Sequence, residues 1–269
     1  MYKRQVIDVV TISHDHYDHL DEDSLHQLAD VVQLWIVPLG IKKWMLDNTT
    51  GMDSRRIVEL EWWQQAHLRK DATDGSMQVL NITNAKDFGA GSAGMPTNNN
   101  DDEENDLIIT CCPASHWGSR LMSDRNRRLW CSFAVADQYS NLFLCGDSGY
   151  PTKFPLYKQI GDALGPFDMS AIPIGAYEPQ EINQAYHANP YEAVQMHKDL
   201  QSRLSVAIHW GTFRLGEEDD PPQELDEALQ QERGDMSPFV VLEHGETVTT
   251  TATIMETNDF GSNSIEAAA

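Results

Sequence analysis

Apolar and polar positions along this chain change period from block to block. Residues 6–13 form an apolar run biased toward β-branched side chains, the pattern of a strand buried on both faces. Residues 21–29 switch to helical spacing, "QLWIVPLG" reads as a strand halted by Pro38 and Gly40, and "IKKWMLDN" as a short helix. Further strands are predicted at "RRIVEL", "MQVLNIT", "LIITCCPAS", "LWCSFAVA", "NLFLCGDSG", "MSAIPIGAY" and "LSVAIHWGTF". In "NPYEAVQMHKDLQSRL", Asn189 is the expected N-cap with Pro190 at the first helical position, and the periodicity runs to Leu204. "PPQELDEALQQERG" repeats that logic with Gly234 as its stop. The alternation predicts an α/β chain with many strands and fewer helices.

Between residues 84 and 105 the chain is rich in Gly, Asn and acids and has no periodicity, so a disordered insertion is expected there. Residues 257–269 read as a disordered tail, and residues 1–256 as a single domain around that insertion. The first strand follows "MYKRQ" with no domain before it, from which a missing N-terminus is expected.

With 269 residues, 41% of them hydrophobic, one large core is within reach. Nineteen basic residues against forty-two acidic ones leave a net charge of −23. That balance disfavours a non-specific grip on nucleic acid or an anionic membrane, so an anionic substrate has to be held locally, by metal or a few arginines. No apolar run approaches the ~18 residues of a membrane span, and the start lacks the ~7–15-residue apolar core of a secretory signal. A cytoplasmic protein is expected. Cys111, Cys112, Cys131 and Cys145 all fall in apolar strand-like segments and read as buried free thiols.

The chemistry concentrates in "TISHDHYDHLD", directly after the first apolar run. His14, His16, Asp18 and His19 spell HxHxDH, and alternate residues at a strand end point the same way, so His14 and His16 can share one metal. Four ligands in one loop exceed a single tetrahedral site and fall short of two. Later strand exits offer three more, His116 after "LIITCCPAS", Asp147 after "NLFLCG" and His209 after "LSVAI". His26 and His67 read as surface residues, and neither His197 nor His244 reads as a ligand. The arginines of "SRLMSDRNRR" (Arg120, Arg125, Arg127 and Arg128) read as a solvated hairpin, and Trp44, Trp62 and Trp63 as packing residues.

The order HxHxDH, His, Asp, His resembles the metallo-β-lactamase fold hydrolases, an αββα sandwich with two metals at one edge. Within them, "ISHDHYDHLD", "VPLG", "ELEWW", "LFLCGDSGY", "GPFDMSAIPIGAYEP", "NPYEAVQMHKDL" and "SVAIHWGTF" resemble the N-acylphosphatidylethanolamine-hydrolysing phospholipases D over residues 7–245. The resemblance implies His14, His16 and His116 on a first zinc, Asp18, His19 and His209 on a second, and Asp147 bridging them. Imidazole and carboxylate would also accept iron or manganese. It implies hydroxide attack on phosphorus, with Asp18 and Asp147 as the catalytic carboxylates, releasing N-acylethanolamine and phosphatidic acid from a glycerophospholipid. Activity is then expected to rise through a pKa near ~7. Tyr17, Ser115 and His187 stand at positions suited to substrate contact or to support of the ligands. Ser115 replaces the family's glutamine and Gln180 its usual arginine, and nothing corresponds to the strands the family carries upstream of HxHxDH. Peripheral contact with intracellular membranes and a homodimer follow from the same resemblance. A hydrolase of a small lactone or cyclic phosphate, or a truncated non-catalytic relative, are the competing readings. A nuclease is disfavoured by the acidic surface.

Overall fold

The computed structural model describes residues 5–85, 106–232, 234, 236–243 and 245–250. Its first half runs β1 (Ile7–Thr11), α1 (Glu22–Leu28), β2 (Val32–Pro38), α2 (Ile41–Asn48), β3 (Ile57–Leu60), β4 (Gln64–Lys70), β5 (Met77–Asn84) and β6 (Asp106–Cys112). The second half runs β7 (Ser132–Ala136), β8 (Asn141–Leu144), α3 (Leu156–Leu164), β9 (Met169–Pro173), α4 (Gln180–Asn183), α5 (Pro190–Asp199), β10 (Ser205–Ile208), α6 (Pro221–Gln231) and β11 (Phe239–Val240). Local signals place the helix starts. Asp21 accepts from the Ser24 amide at 2.7 Å to open α1, and Asn189 and Glu192 complete a reciprocal capping box on α5. Gly40, at φ +92°, makes the turn from β2 into α2, where the Glu59 carboxylate accepts from the amides of Gly40 and Lys42.

Strands β1, β2 and β3 form a parallel sheet in that order, and the other eight form a mixed sheet ordered β11-β10-β9-β8-β7-β6-β4-β5. Alternation along β2 assigns the layers. Trp35 and Val37 face α1 and α2 with Leu25, Ile41 and Met45, whereas Leu34 and Ile36 face the second sheet and pack with Leu68, Ile109 and Phe133. On the far side of the large sheet, Phe143 and Ile172 pack against Ile160 of α3, Val194 of α5 and Leu225 of α6. This is the expected αββα sandwich. Strands β6 and β8 both lie antiparallel to β7, and β8, β9 and β10 run parallel, so the exits of β6, β8 and β10 open at one edge.

Several sequence expectations change. β1 is half-buried throughout rather than covered on both faces, because among the described residues it is an edge strand. Helix α5 ends at Asp199, five residues short of Leu204: Gln201 turns left-handed at φ +56°, and the Ser202 amide donates back to the His197 carbonyl. α6 ends at Gln231, with Gly234 at φ +111° three residues on. Asn84 closes β5 and Ala85 is buried, so they belong to the fold, while residues 86–105, the tail 257–269 and His244 lie outside the described residues. Strands β4 and β11 and helices α3 and α4 lack an expectation in the sequence. β4 is hidden because its buried positions include Gln65, whose side-chain amide donates to the Thr110 hydroxyl at 2.9 Å. All four cysteines are buried and free.

Ile36 is fully buried between the sheets. Ile36→Ala is expected to cost about 2–5 kcal/mol in urea unfolding, against less than ~0.5 kcal/mol for exposed Leu80→Ala on β5. Equal small effects would contradict the assigned inter-sheet core.

Candidate metal centre

The shared edge gathers the seven residues of the HxHxDH series. His14 to His19 follow β1, His116 lies four residues past β6, Asp147 three past β8, and His209 directly after β10. Two local features force the approach. Gly146 is at φ +65°, and a Cβ there would meet the Ser13 Cβ at 2.8 Å, so only glycine lets the β8 exit pass this close to the metal loop. His209 itself adopts φ +60°, a costly conformation for a non-glycine residue, which turns its ring toward the cluster.

The donor atoms form two groups with one common member. His14, His16, His116 and Asp147 have ligand atoms within 4.8 Å of one another, and so do Asp18, His19, Asp147 and His209. In the first group, His16 Nδ1 lies 2.9 Å from His14 Nε2 and 3.1 Å from His116 Nε2, and Asp147 Oδ2 lies 3.8 and 3.7 Å from the latter two. In the second, His19 Nε2 is 3.3 Å from Asp18 Oδ2 and 3.2 Å from Asp147 Oδ2, and His209 Nε2 is 3.1 Å from Asp147 Oδ1. A tetrahedral ion with ligands at ~2.0–2.1 Å needs edges of about 3.4 Å. Both groups have that size.

Orientation supports the same conclusion. The His116 Nδ1–H group donates to the Tyr186 carbonyl at 2.9 Å, which leaves the Nε2 lone pair facing His16 and Asp147. Nε2 of His19, both ring nitrogens of His209 and Oδ1 of Asp147 are buried without a hydrogen-bond partner despite the short distances. These polar atoms crowd together without pairing, an arrangement that a cation satisfies and water-free packing does not.

Charge completes the fit. Burial, with the field of His116, pushes the His14 imidazole well below its ordinary value, and burial brings His116 down to about 3, so both are neutral ligands. Burial lowers His16 as well. Burial alone would raise Asp147, but the close contact with the His19 imidazole and the charges of His209, His19 and His14 hold it well below the carboxylate range. His19 goes the other way: burial lowers it, yet the carboxylates of Asp147 and Asp18 carry it up to about 10, and Asp18 and Asp147 likewise raise His209.

The surrounding residues are placed as follows. Tyr17 is exposed and its hydroxyl donates to the Arg120 carbonyl at 2.7 Å. Ser115 donates through its hydroxyl to the Ala185 carbonyl, and its amide to Ser148 Oγ. His187 stacks on His209 with ring centres 5.7 Å apart and meets His116 edge-on at 5.1 Å. The Trp117 ring, which no sequence motif singles out, packs edge-on against His16 at 4.4 Å. His197 is buried on Ser205 Oγ and Phe239, His26 is exposed, and His67 is half-buried against the Thr83 hydroxyl rather than free at the surface.

The arginine segment is not a solvated hairpin. Arg120 is buried, donates to the Leu20 carbonyl at 2.7 Å and stacks over Tyr17 and Trp44, while Arg128 bonds both Asp15 and Asp124. Arg125 and Arg127 are exposed, Arg125 lying 4.4 Å over Trp117. Trp44 and Trp63 pack on the core, and Trp62 is 38% exposed with its indole donating to the Trp130 carbonyl.

Residues 2–210 match the family described as "Beta-lactamase superfamily domain". The chain is 36% identical over 248 residues to "N-acyl-phosphatidylethanolamine-hydrolyzing phospholipase D 1" of Caenorhabditis elegans, covering 89% of this chain and 60% of that protein. It is 32% identical over 214 residues to a mitochondrial protein of the same description from Saccharomyces cerevisiae, covering 78% of this chain and 38% of that one. Among solved structures, Igni18, a metallo hydrolase of Ignicoccus hospitalis, superposes with a TM-score of 0.54 at 18% identity over 90% of this chain and 78% of its own. The chain thus spans about half the length of these curated relatives.

Because the carboxylates of Asp147 and Asp18 favour the protonated forms of His19 and His209, filling the Asp18 group is expected to displace protons, whereas filling the His14 group, whose imidazoles burial favours as neutral, is not. Zinc calorimetry near pH 7 in buffers of different ionisation enthalpy is expected to show one to two protons released with one ion and almost none with the other, and binding at the Asp18 group that weakens as pH falls. Identical heats in all buffers would contradict the assigned charges.

Proposed function

The chain belongs to the beta-lactamase superfamily and has its metallohydrolase fold, and from that premise we propose that it is a dinuclear zinc phosphodiesterase cleaving N-acylphosphatidylethanolamine to N-acylethanolamine and phosphatidic acid. The observation that carries the reading is the sharing of the buried Asp147 carboxylate by two groups of ligands. Its similarity to two proteins named as phospholipases D supports the substrate.

Two divalent ions held there would supply Lewis acidity, activating water and neutralising charge on the phosphate. The residues divide the remaining work. His14, His16 and His116 present neutral nitrogens for one ion, and Asp18, His19 and His209 serve the other. Asp147, its side chain 3% exposed, would be shared by both. Asp18 is the more open carboxylate, its side chain 26% exposed, and is suited to accept a hydrogen bond from the attacking water. On a chain of net charge −23, Arg120 and Arg128 are committed to holding loops, which leaves the exposed Arg125, over the Trp117 ring that packs on His16, as a cation of that segment available to phosphate charge. Leu121 and Met122 are exposed in the segment following His116, giving an apolar surface beside the site for a substrate drawn from a bilayer.

The zinc-loaded protein in ¹⁸O-labelled water with micellar N-acylphosphatidylethanolamine is expected to place the label in phosphatidic acid, and His16→Ala to abolish turnover. Label in N-acylethanolamine would mean attack at carbon and overturn the mechanism. No product from protein shown to hold two ions would overturn the substrate.

A further inference from the structure

Asp15 stands between two ligands of the same group, His14 and His16, and carries no metal-facing role of its own. It is fully buried. A lone carboxylate at that depth is costly, and here the Arg128 guanidinium compensates it while also bonding Asp124 from its own loop. We infer that Arg128 is a positioning residue for the metal loop, fixing through Asp15 where the His14 and His16 rings stand.

The backbone on both sides of Arg128 is anchored to elements next to the centre. The Leu129 amide donates to the Leu39 carbonyl and the Cys131 amide to the Ser13 carbonyl, each at 2.8 Å, and the Asn126 amide donates to the Gly118 carbonyl at 2.7 Å. The pair also occupies space that two glycines leave open. A Cβ on Gly118 would lie 2.7 Å from Asp15 Oδ1, and one on Gly40 would lie 3.1 Å from Arg128 Cγ. A planar guanidinium can serve two carboxylates from two loops at once, which an ammonium group cannot do with the same directionality. Its effect therefore falls on the His14 group first, because Asp15 flanks two of the three nitrogens there and none of the Asp18 group except through the chain.

This inference rests on the seven-residue cluster being a metal centre, and the test separates the two. Stepwise zinc affinities are measured by competition with a chromophoric chelator on wild type, Arg128→Gln, Arg128→Lys and the remote ion-pair control Arg203→Gln, alongside thermal unfolding and the visible spectrum of the cobalt-loaded proteins. Wild type failing to take two ions would sink the metal reading itself. With wild type loaded, a folded Arg128→Gln is expected to lose about 10–100-fold in affinity at the His14 group, with an altered cobalt spectrum, partial recovery in Arg128→Lys and no change in Arg203→Gln. Wild-type affinities and spectrum in a folded Arg128→Gln, whatever its melting temperature, would overturn the inference. If that variant does not fold, Asp15→Asn, which preserves shape and offers Arg128 a neutral acceptor, decides by the same two readings.

Discussion

The carboxylate of Asp147 is buried among four imidazoles, with His209 at 3.1 Å, His19 at 3.2 Å, His116 at 3.7 Å and His14 at 3.8 Å. So dense a crowd of imidazole and carboxylate atoms departs from an ordinary core, where polar groups survive by pairing donor with acceptor. Positive charge between them removes the conflict. The carboxylates of Asp147 and Asp18 favour positive charge on His19 and His209, whereas burial favours the neutral form of the His14 imidazole. Two ligand groups sharing Asp147 suit the pair of cations proposed for them.

The sandwich provides this convergence at small cost to itself. Inter-sheet packing of Leu34 and Ile36 against Ile109 and Phe133 fixes one sheet over the other, and strand directions deliver the exits of β6, β8 and β10 to the edge where the loop after β1 also ends. Precision is then added from outside the ligand set. The Tyr186 carbonyl sets the His116 tautomer, Trp117 packs against His16, and the Asp15–Arg128–Asp124 chain holds the loop from behind. A ligand shell supported in this way loses little entropy on binding its ions.

Much of the centre was legible in the sequence. HxHxDH after an apolar run predicts its own geometry, because strand alternation and a tight turn are local properties, and His116, Asp147 and His209 were marked by their position at strand exits. The Asn189 cap was legible for the same local reason. What lay hidden was long-range. Arg128 and Asp15 are 113 positions apart, and a run of arginines looks the same whether water or a buried aspartate receives it. β4 escaped because Gln65 satisfies its amide on Thr110 of a strand met forty-five residues later. Trp117 carries no periodic signal, and its role exists only once His16 is beside it. The sequence likewise overextended α5, whose end is set by the left-handed Gln201 rather than by the apolar pattern.

Asp147 is proposed to join two metal positions through one buried carboxylate. Anomalous diffraction at the zinc edge from zinc-loaded crystals tests it most directly. Two peaks about 3.5–4 Å apart, one against His14, His16 and His116, the other against Asp18, His19 and His209, with Asp147 between them, are the predicted result. A single peak, or peaks away from Asp147, would contradict it.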